Sequence, residues 1–269
     1  MSDILHPVPL RTTVSKGMIT VTLARGEKRN ALDGEMIAGL SAAIEAAEND
    51  AGIRLLCLRA EGPVFCAGID LKAAAKIQSE GATAGQDDVT LLTGTILRLA
   101  RLPKPTIAVA DGPAFAAGVG LLIACDFVLA TSRLSIALTQ VRNGLFPGFV
   151  APLLAEAIGL RAARQIAMSG ESLDAARALQ LGLVTEIHDS DALEERLSTL
   201  VDALRRGAPG ALQGTKSMLE RYSREPLDNE VMARINELVS AQRANPEAAE
   251  GMAAFREKRL PSWYAEDGQ

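Results

Sequence analysis

Ile19, Val21 and Leu23 alternate with Thr20 and Thr22, the period-two pattern of a strand with one polar face. Asp33 stands where an N-cap belongs, and Met36, Ile37, Leu40, Ile44 and Ala47 then share one face of a helix. Leu55 to Leu58 is continuously apolar and reads as a buried strand. The polar, glycine-bearing stretch Ser79 to Asp88 reads as mobile. After it Val89, Leu92, Ile96 and Leu99 fall at helical spacing until Pro103 and Pro105 stop the helix. Thr106 to Ala110 is a short strand, Phe115 to Cys125 a small-residue turn running into a helix, and Phe127 to Thr131 another strand. Strands separated by helices predict right-handed crossovers and a largely parallel sheet.

After Val184 to Ile187 the pattern is helical to the end: Leu193 to Arg206, Ala211 to Tyr222, Val231 to Ala244 and Ala248 to Lys258. The expectation is an α/β core over residues 1–200 and a helical C-terminal region over residues 201–269, without repeats. The apolar stripe Leu212, Met218 and Leu219 makes little core of its own. That region is expected to pack on the core or on a neighbouring subunit.

Composition narrows the function classes. Of 269 residues, 48% are hydrophobic and 23% charged, a balance that excludes disorder. A formal net charge of −5 gives no electrostatic reason to approach nucleic acid or an anionic membrane. An anionic ligand must therefore be held by local basic residues and helix ends. Met1 to Leu10 lacks the basic-then-apolar run of a signal peptide, and no apolar stretch reaches the ~20 residues of a membrane span. Cys57, Cys66 and Cys125 are too scattered for a disulfide framework or a zinc site, so a reducing cytoplasm is expected.

Several kinds of site drop out. His6 and His188 lie far apart, outside any Cys/His/Asp cluster, so no metal site is expected, and His188 reads as a surface residue. No G-x-S-x-G elbow exists. Cys66 has no nearby base and reads as a buried thiol. Gly112 to Gly120 lacks both the Lys-Ser/Thr end of a P-loop and a G-x-G-x-x-G.

Two segments remain, each a strand end turning through small residues into a helix: Phe65 to Lys72 and Asp111 to Gly120. Small residues let the backbone approach a ligand, and the start of a helix presents unpaired N–H donors. Two such ends converging could hold one developing oxyanion, as thioester enolate chemistry requires. Two tight turns with no ligand is an equal reading of the same residues.

The first segment resembles the pattern F-x-A-G-x-D-L-K of the enoyl-CoA hydratase/isomerase (crotonase) family, and the second its G-x-A-x-G-G-G-x-E-L-x-x-x-C-D. Glu27 to Leu32 is similar to its E-K-R-N-A-L stretch, and Val141 to Gly148 to its V-R-x-G-L-F-P-G loop. Leu173 to Val184 resembles its A-x-x-A-x-x-x-G-L-V element, and Glu250 to Arg259 its E-G-x-x-A-F-x-E-K-R. The likeness runs in order over nearly the whole chain.

The resemblance implies a fold of ββα turns with a helical C-terminal trimerisation region, assembled as a homotrimer or homohexamer. It also implies an acyl-CoA substrate of fatty acid metabolism, with CoA part of the substrate and no separate cofactor. The thioester oxygen would accept N–H bonds from Ile69 and Ala117. Lys28, Ala67 and Lys72 would line the CoA, with Phe255 and Lys258 reaching in from a neighbouring subunit. Asp70 reads as a carboxylate that caps a helix or orders its loop.

The departures from the family concern the acids. Its hydratases carry two glutamates that hold water and move its protons, and these fall at Gly120 and Gln140. Glycine has nothing to ionise, and glutamine takes no proton at neutral pH. Gly148, where some isomerases of the family place a base, is empty too. Gln140 either orients a water or substrate carbonyl or fills the slot without a role. Arg142 reads as a surface residue, and Glu80, Asp87 or Asp88 could supply a substitute base. The expected function is an acyl-CoA enzyme stabilising an enolate, through isomerisation, decarboxylation or a hydration with another base. The alternative is a non-catalytic acyl-CoA-binding paralogue. Restoring glutamate at residues 120 and 140 is expected to raise hydration where a water site survives.

Overall fold

The computed structural model describes residues 3–4, 10–70, 82–223 and 225–264, with the side chains of residues 3–4 and 82–88 left out. The chain divides into two compact units, residues 1–102 with 106–196 and residues 103–105 with 197–269. In the first, seven strands form one sheet: β1 (Asp3–Ile4), β2 (Leu10–Ser15), β3 (Met18–Leu23), β4 (Leu55–Ala60), β5 (Thr106–Ala110), β7 (Phe127–Ala130) and β10 (Glu186–Ile187). β6 (Ala114–Phe115), β8 (Ser135–Ala137) and β9 (Leu173–Asp174) make a second, three-stranded sheet. From β3 through β4, β5 and β7 to β10 every pairing is parallel, while β1, β2 and β3 pair antiparallel.

Burial follows the pattern of the chain. Ile19, Val21 and Leu23 of β3 are buried while Thr20 and Thr22 are half-buried, and Leu55 to Leu58 of β4 are buried without a break. Asp33 accepts a hydrogen bond from the Met36 N–H at 3.0 Å and starts α1 (Gly34–Asn49), whose face from Met36 to Ala47 is buried. All five residues of β5 are buried, as a central parallel strand requires.

The next helix differs from expectation. α2 (Ala82–Ala100) begins inside the stretch read as mobile, and Val89 is exposed, so the buried face is Leu92, Ile96 and Leu99. Once a packed turn exists, each further helical residue adds a hydrogen bond, and side-chain polarity does not prevent it. Ser79 to Gly81 lie outside the described residues. α3 (Ala117–Ile123), α4 (Val150–Ile158), α5 (Leu160–Ser169) and α6 (Ala175–Leu181) complete the first unit, and α7 (Ser190–Arg206) contains the boundary between the units.

The second unit carries α8 (Pro209–Tyr222), α9 (Asn229–Arg243) and α10 (Pro246–Glu257). Asp228 and Asn245 cap α9 and α10, each accepting from backbone N–H groups of the first turn. α8 and α9 flank a groove of about 510 Å³ that includes Met218, Tyr222, Leu238 and Val239. Glu250 accepts from both Nη atoms of Arg259 and from the Ser262 N–H, which ties α10 to the segment after it. No helix among the described residues is long and apolar enough to cross a membrane.

Candidate active site

The two small-residue turns lie against each other. The Phe65 and Cys66 N–H groups donate to Pro113 O, and the Phe115 N–H donates back to Cys66 O at 2.9 Å. A Cβ on Gly118 would sit 2.5 Å from Cys66 O, and one on Gly112 would sit 2.5 Å from Pro63 O. Neither approach leaves room for a side chain. Gly68, at φ +91°, closes the other end, where its Cβ would stand 2.9 Å from Ala116 Cβ and 3.4 Å from the Ala117 nitrogen.

The direction of two N–H groups follows from peptide planarity. Within one peptide unit the C=O and N–H point opposite ways. The Leu32 N–H donates to Gly68 O at 2.7 Å and the Asp70 N–H to Leu32 O at 2.8 Å, so the Ile69 N–H points away from Leu32. On the other turn the Val119 N–H donates to Ala116 O at 3.1 Å, so the Ala117 N–H points away from Val119. Among the described residues, neither the Ile69 nor the Ala117 N–H donates to a protein acceptor.

The second turn stores backbone strain. Ala116 has φ 51° and ψ −116°, a region costly for a residue with a Cβ, while its N–H donates to Ala137 O of β8 at 3.0 Å. Such conformations cost about 1–3 kcal/mol and persist where surrounding contacts impose them.

Positions 120 and 140 have unlike surroundings. A Cβ on Gly120 would meet Val150 Cγ2 at 3.1 Å, Ile96 Cδ1 at 3.3 Å and Phe149 Cε2 at 3.3 Å. The space beside this residue is occupied by apolar side chains from α2 and the start of α4. A Cβ there would require these side-chain ends to give by a few tenths of an ångström. Gln140, in the 3₁₀ turn Thr139–Asn143, carries a buried Oε1 with no hydrogen-bond partner among the described residues. A Cβ on Gly148, φ 41°, would meet nothing within 4 Å among the described residues.

The remaining candidates sort by place. Burial pushes the Cys66 thiol up to about 12, so this residue supplies no thiolate at neutral pH. His188 Nε2 lies 2.7 Å from Glu186 Oε2, a carboxylate also held by Arg196. Ala67 is half-buried and donates its N–H to Arg29 O, while Lys28 and Arg142 are exposed. Phe255, 85% exposed, and Lys258 belong to the second unit. Lys72, Glu80 and the side chains of Asp87 and Asp88 lie outside the described residues. Asp70 Oδ2 is 3.3 Å from Arg25 Nη1.

Arg25 and Asn30 escaped the sequence reading. Asn30 is fully buried at φ 53°, donates through Nδ2 to Glu61 O and Val64 O, and accepts from the Arg25 N–H. Its position inside the Glu27 to Leu32 stretch was the only signal, because an asparagine in a polar loop ordinarily reads as exposed.

The enoyl-CoA hydratase/isomerase family profile matches residues 13–266, and the chain belongs to that family. It is 32% identical over 247 residues to 2,3-dehydroadipyl-CoA hydratase of Escherichia coli, covering 91% of this chain and 94% of that protein. It is 30% identical to trans-2-decenoyl-[acyl-carrier-protein] isomerase of Streptococcus mutans, covering 93% and 95%. The structure of an enoyl-CoA hydratase/isomerase from Marinobacter aquaeolei matches with a TM-score of 0.89 at 32% identity, covering 96% and 99%.

Proposed function

We propose that this protein is an acyl-CoA enzyme in which the N–H groups of Ile69 and Ala117 bind the thioester oxygen and stabilise the enolate form of the acyl group. The observation that carries the reading is the pair of interlocked turns. Each presents one N–H whose direction is set by its own carbonyl and which has no acceptor among the described residues. Donors fixed in advance need no reorganisation as charge develops, which is the condition for strong oxyanion stabilisation. Lys28, Ala67 and Lys72 would line the CoA.

Hydration is a poor assignment for this site. Position 120 has no ionisable group and is walled by apolar side chains, and position 140 is an amide. Decarboxylation fits these residues by themselves, since loss of CO2 forms the enolate without a base. Isomerisation needs a further group to carry the proton, because positions 120, 140 and 148 have no ionisable side chain. The exposed apolar residues of the second unit, among them Leu238, Met252 and Phe255, support assembly as a homotrimer or homohexamer. In that assembly Phe255 and Lys258 would reach a neighbour's CoA. The test is a pair of measurements: calorimetric titration with butyryl-CoA, and the fall in absorbance as crotonyl-CoA is hydrated. Binding is expected, with turnover far below the ordinary ~10 per second. No binding at millimolar ligand would overturn the assignment, and ordinary hydratase turnover would show that another group supplies the acid and base.

A further inference from the structure

Loop 25–33 runs beside loop 61–70, and one guanidinium ties the two together. Arg25 Nη1 lies 2.7 Å from Asp33 Oδ2 and 3.3 Å from Asp70 Oδ2, and it donates to Ala31 O at 3.0 Å. The three side chains are mostly withdrawn from water, at 16%, 22% and 15% exposure for Arg25, Asp33 and Asp70. Screening is correspondingly weak, so these contacts count for more than surface pairs. The backbone of Arg25 is fixed as well, because its N–H donates to the buried Asn30 side chain at 2.8 Å.

Its partners bracket one bridge. Ala31 and Asp33 flank Leu32, and Asp70 follows Ile69. Leu32 and Ile69 form the parallel bridge in which the Leu32 N–H grips Gly68 O. That bond sets the plane of the peptide carrying the Ile69 N–H. Asp33 in addition caps α1, which links the bracket to the rigid helix.

We propose that Arg25 is the positioning residue of the site: by tying Ala31, Asp33 and Asp70 together around the Leu32–Ile69 bridge, it aims the Ile69 N–H at the ligand oxygen. The inference rests on the reading of Ile69 and Ala117 as an oxyanion hole. Without the guanidinium, Asp33 and Asp70 lose the cation they share, and the tie between the two loops at this point is gone. The backbone ladder survives, but the peptide plane loses its fixed tilt. A donor misaimed in this way gives up part of its effect and not all of it.

Acetoacetyl-CoA tests this without a known reaction, because its enolate absorbs in the near ultraviolet and, at a pH below that of its ionisation in free solution, accumulates only where the bound oxyanion is stabilised. In the full-length protein Arg25→Gln should keep butyryl-CoA affinity within about twofold and lower the bound enolate-to-keto ratio about tenfold, short of the ~10²–10³ of a lost donor. Arg25→Lys, which restores the charge, should recover part of the signal. Arg59→Gln, which breaks the pair with Glu194, should change nothing. If Arg25→Gln does not fold, Asp70→Asn replaces it; it leaves the Arg25–Asp33 pair standing and should lower the ratio by a smaller factor. An unchanged ratio in a folded Arg25→Gln or Asp70→Asn protein, or an equal fall in Arg59→Gln, would overturn the positioning role alone. A wild-type protein that binds acetoacetyl-CoA and forms no enolate would overturn the oxyanion reading, and the inference with it.

Discussion

The interlocked turns are made of different material from positions 120 and 140, one at the end of the second turn and the other in the 3₁₀ turn Thr139–Asn143. The turns are built from backbone: Gly68, Ala116, Ala117 and Gly118 contribute peptide groups and close approach, and their geometry is held by carbonyls that already have partners. The other two positions could act only through side chains. One of these is absent, with Ile96, Phe149 and Val150 close about it; the other ends in a buried oxygen without a partner among the described residues. A site made of backbone tolerates changes in residue type as long as the turn still forms, as Ala116 demonstrates by adopting φ 51°. A site made of acids disappears with two substitutions. On the proposed reading, enolate stabilisation does not depend on a carboxylate at either position.

Packing tests give the largest effects. Gly118→Ala would place a Cβ 2.5 Å from a backbone oxygen and drive the turns apart, at about 3 kcal/mol or more. Gly120→Glu should cost less, about 1–3 kcal/mol, because the side-chain ends at 3.1–3.3 Å must give way and a carboxylate would be set beside apolar groups. Urea midpoints of both variants check this. A Gly120→Glu protein as stable as wild type would mean that the wall opens easily and that the acid position is merely unoccupied.

Gln140→Glu should separate the two acid positions. The new carboxyl would have one oxygen buried without a donor, so burial would raise its pKa above the ordinary carboxylate value. A raised folded pKa leaves the variant close to wild type below about pH 4 and progressively less stable as pH rises, by about 1–3 kcal/mol. Denaturation across that range checks the sign. A variant that gains stability with pH would place a donor beside residue 140.

Ala116→Gly should stabilise the second turn. Relief of about 1–3 kcal/mol of strain outweighs the roughly 0.5–1 kcal/mol of extra unfolded-chain freedom, leaving a gain near 1 kcal/mol. A lower melting temperature would mean that the Ala116 methyl packing against Gly68 matters more than its backbone.

The smallest effect concerns a cluster belonging to neither region, Glu186 with Arg196 and His188. Hydrogen bonds from Arg196 and then His188 hold the Glu186 carboxyl down to about 2. A depressed folded pKa stabilises above the ordinary value near 4.5 and loses that contribution as pH falls toward about 2. Glu186→Gln should thus trail wild type at about pH 6, with the gap closing on acidification. A gap that stays constant would assign the contribution to packing.

Legibility in the sequence followed the reach of each interaction. β3, β4, β5 and α1 were readable because their periodicity lies within one element, and Asp33 because an N-cap acts three residues away. Both turns of the site were readable as small-residue strand ends. The three-stranded sheet was not, since strands of two or three residues carry no period. Nor were Arg25 and the wall at Gly120, whose partners come from distant segments that only the folded chain brings together. Val89 misled because helical spacing continues past the point where the neighbouring face ends.

The measurement that bears most directly on a surviving backbone site is a pH titration of acetoacetyl-CoA bound to the wild-type protein, followed by the enolate band. The account predicts that binding lowers the pH at which the enolate forms by about 2 units, the equivalent of one well-aimed oxyanion donor. A bound ligand that ionises at the same pH as in free solution would contradict it.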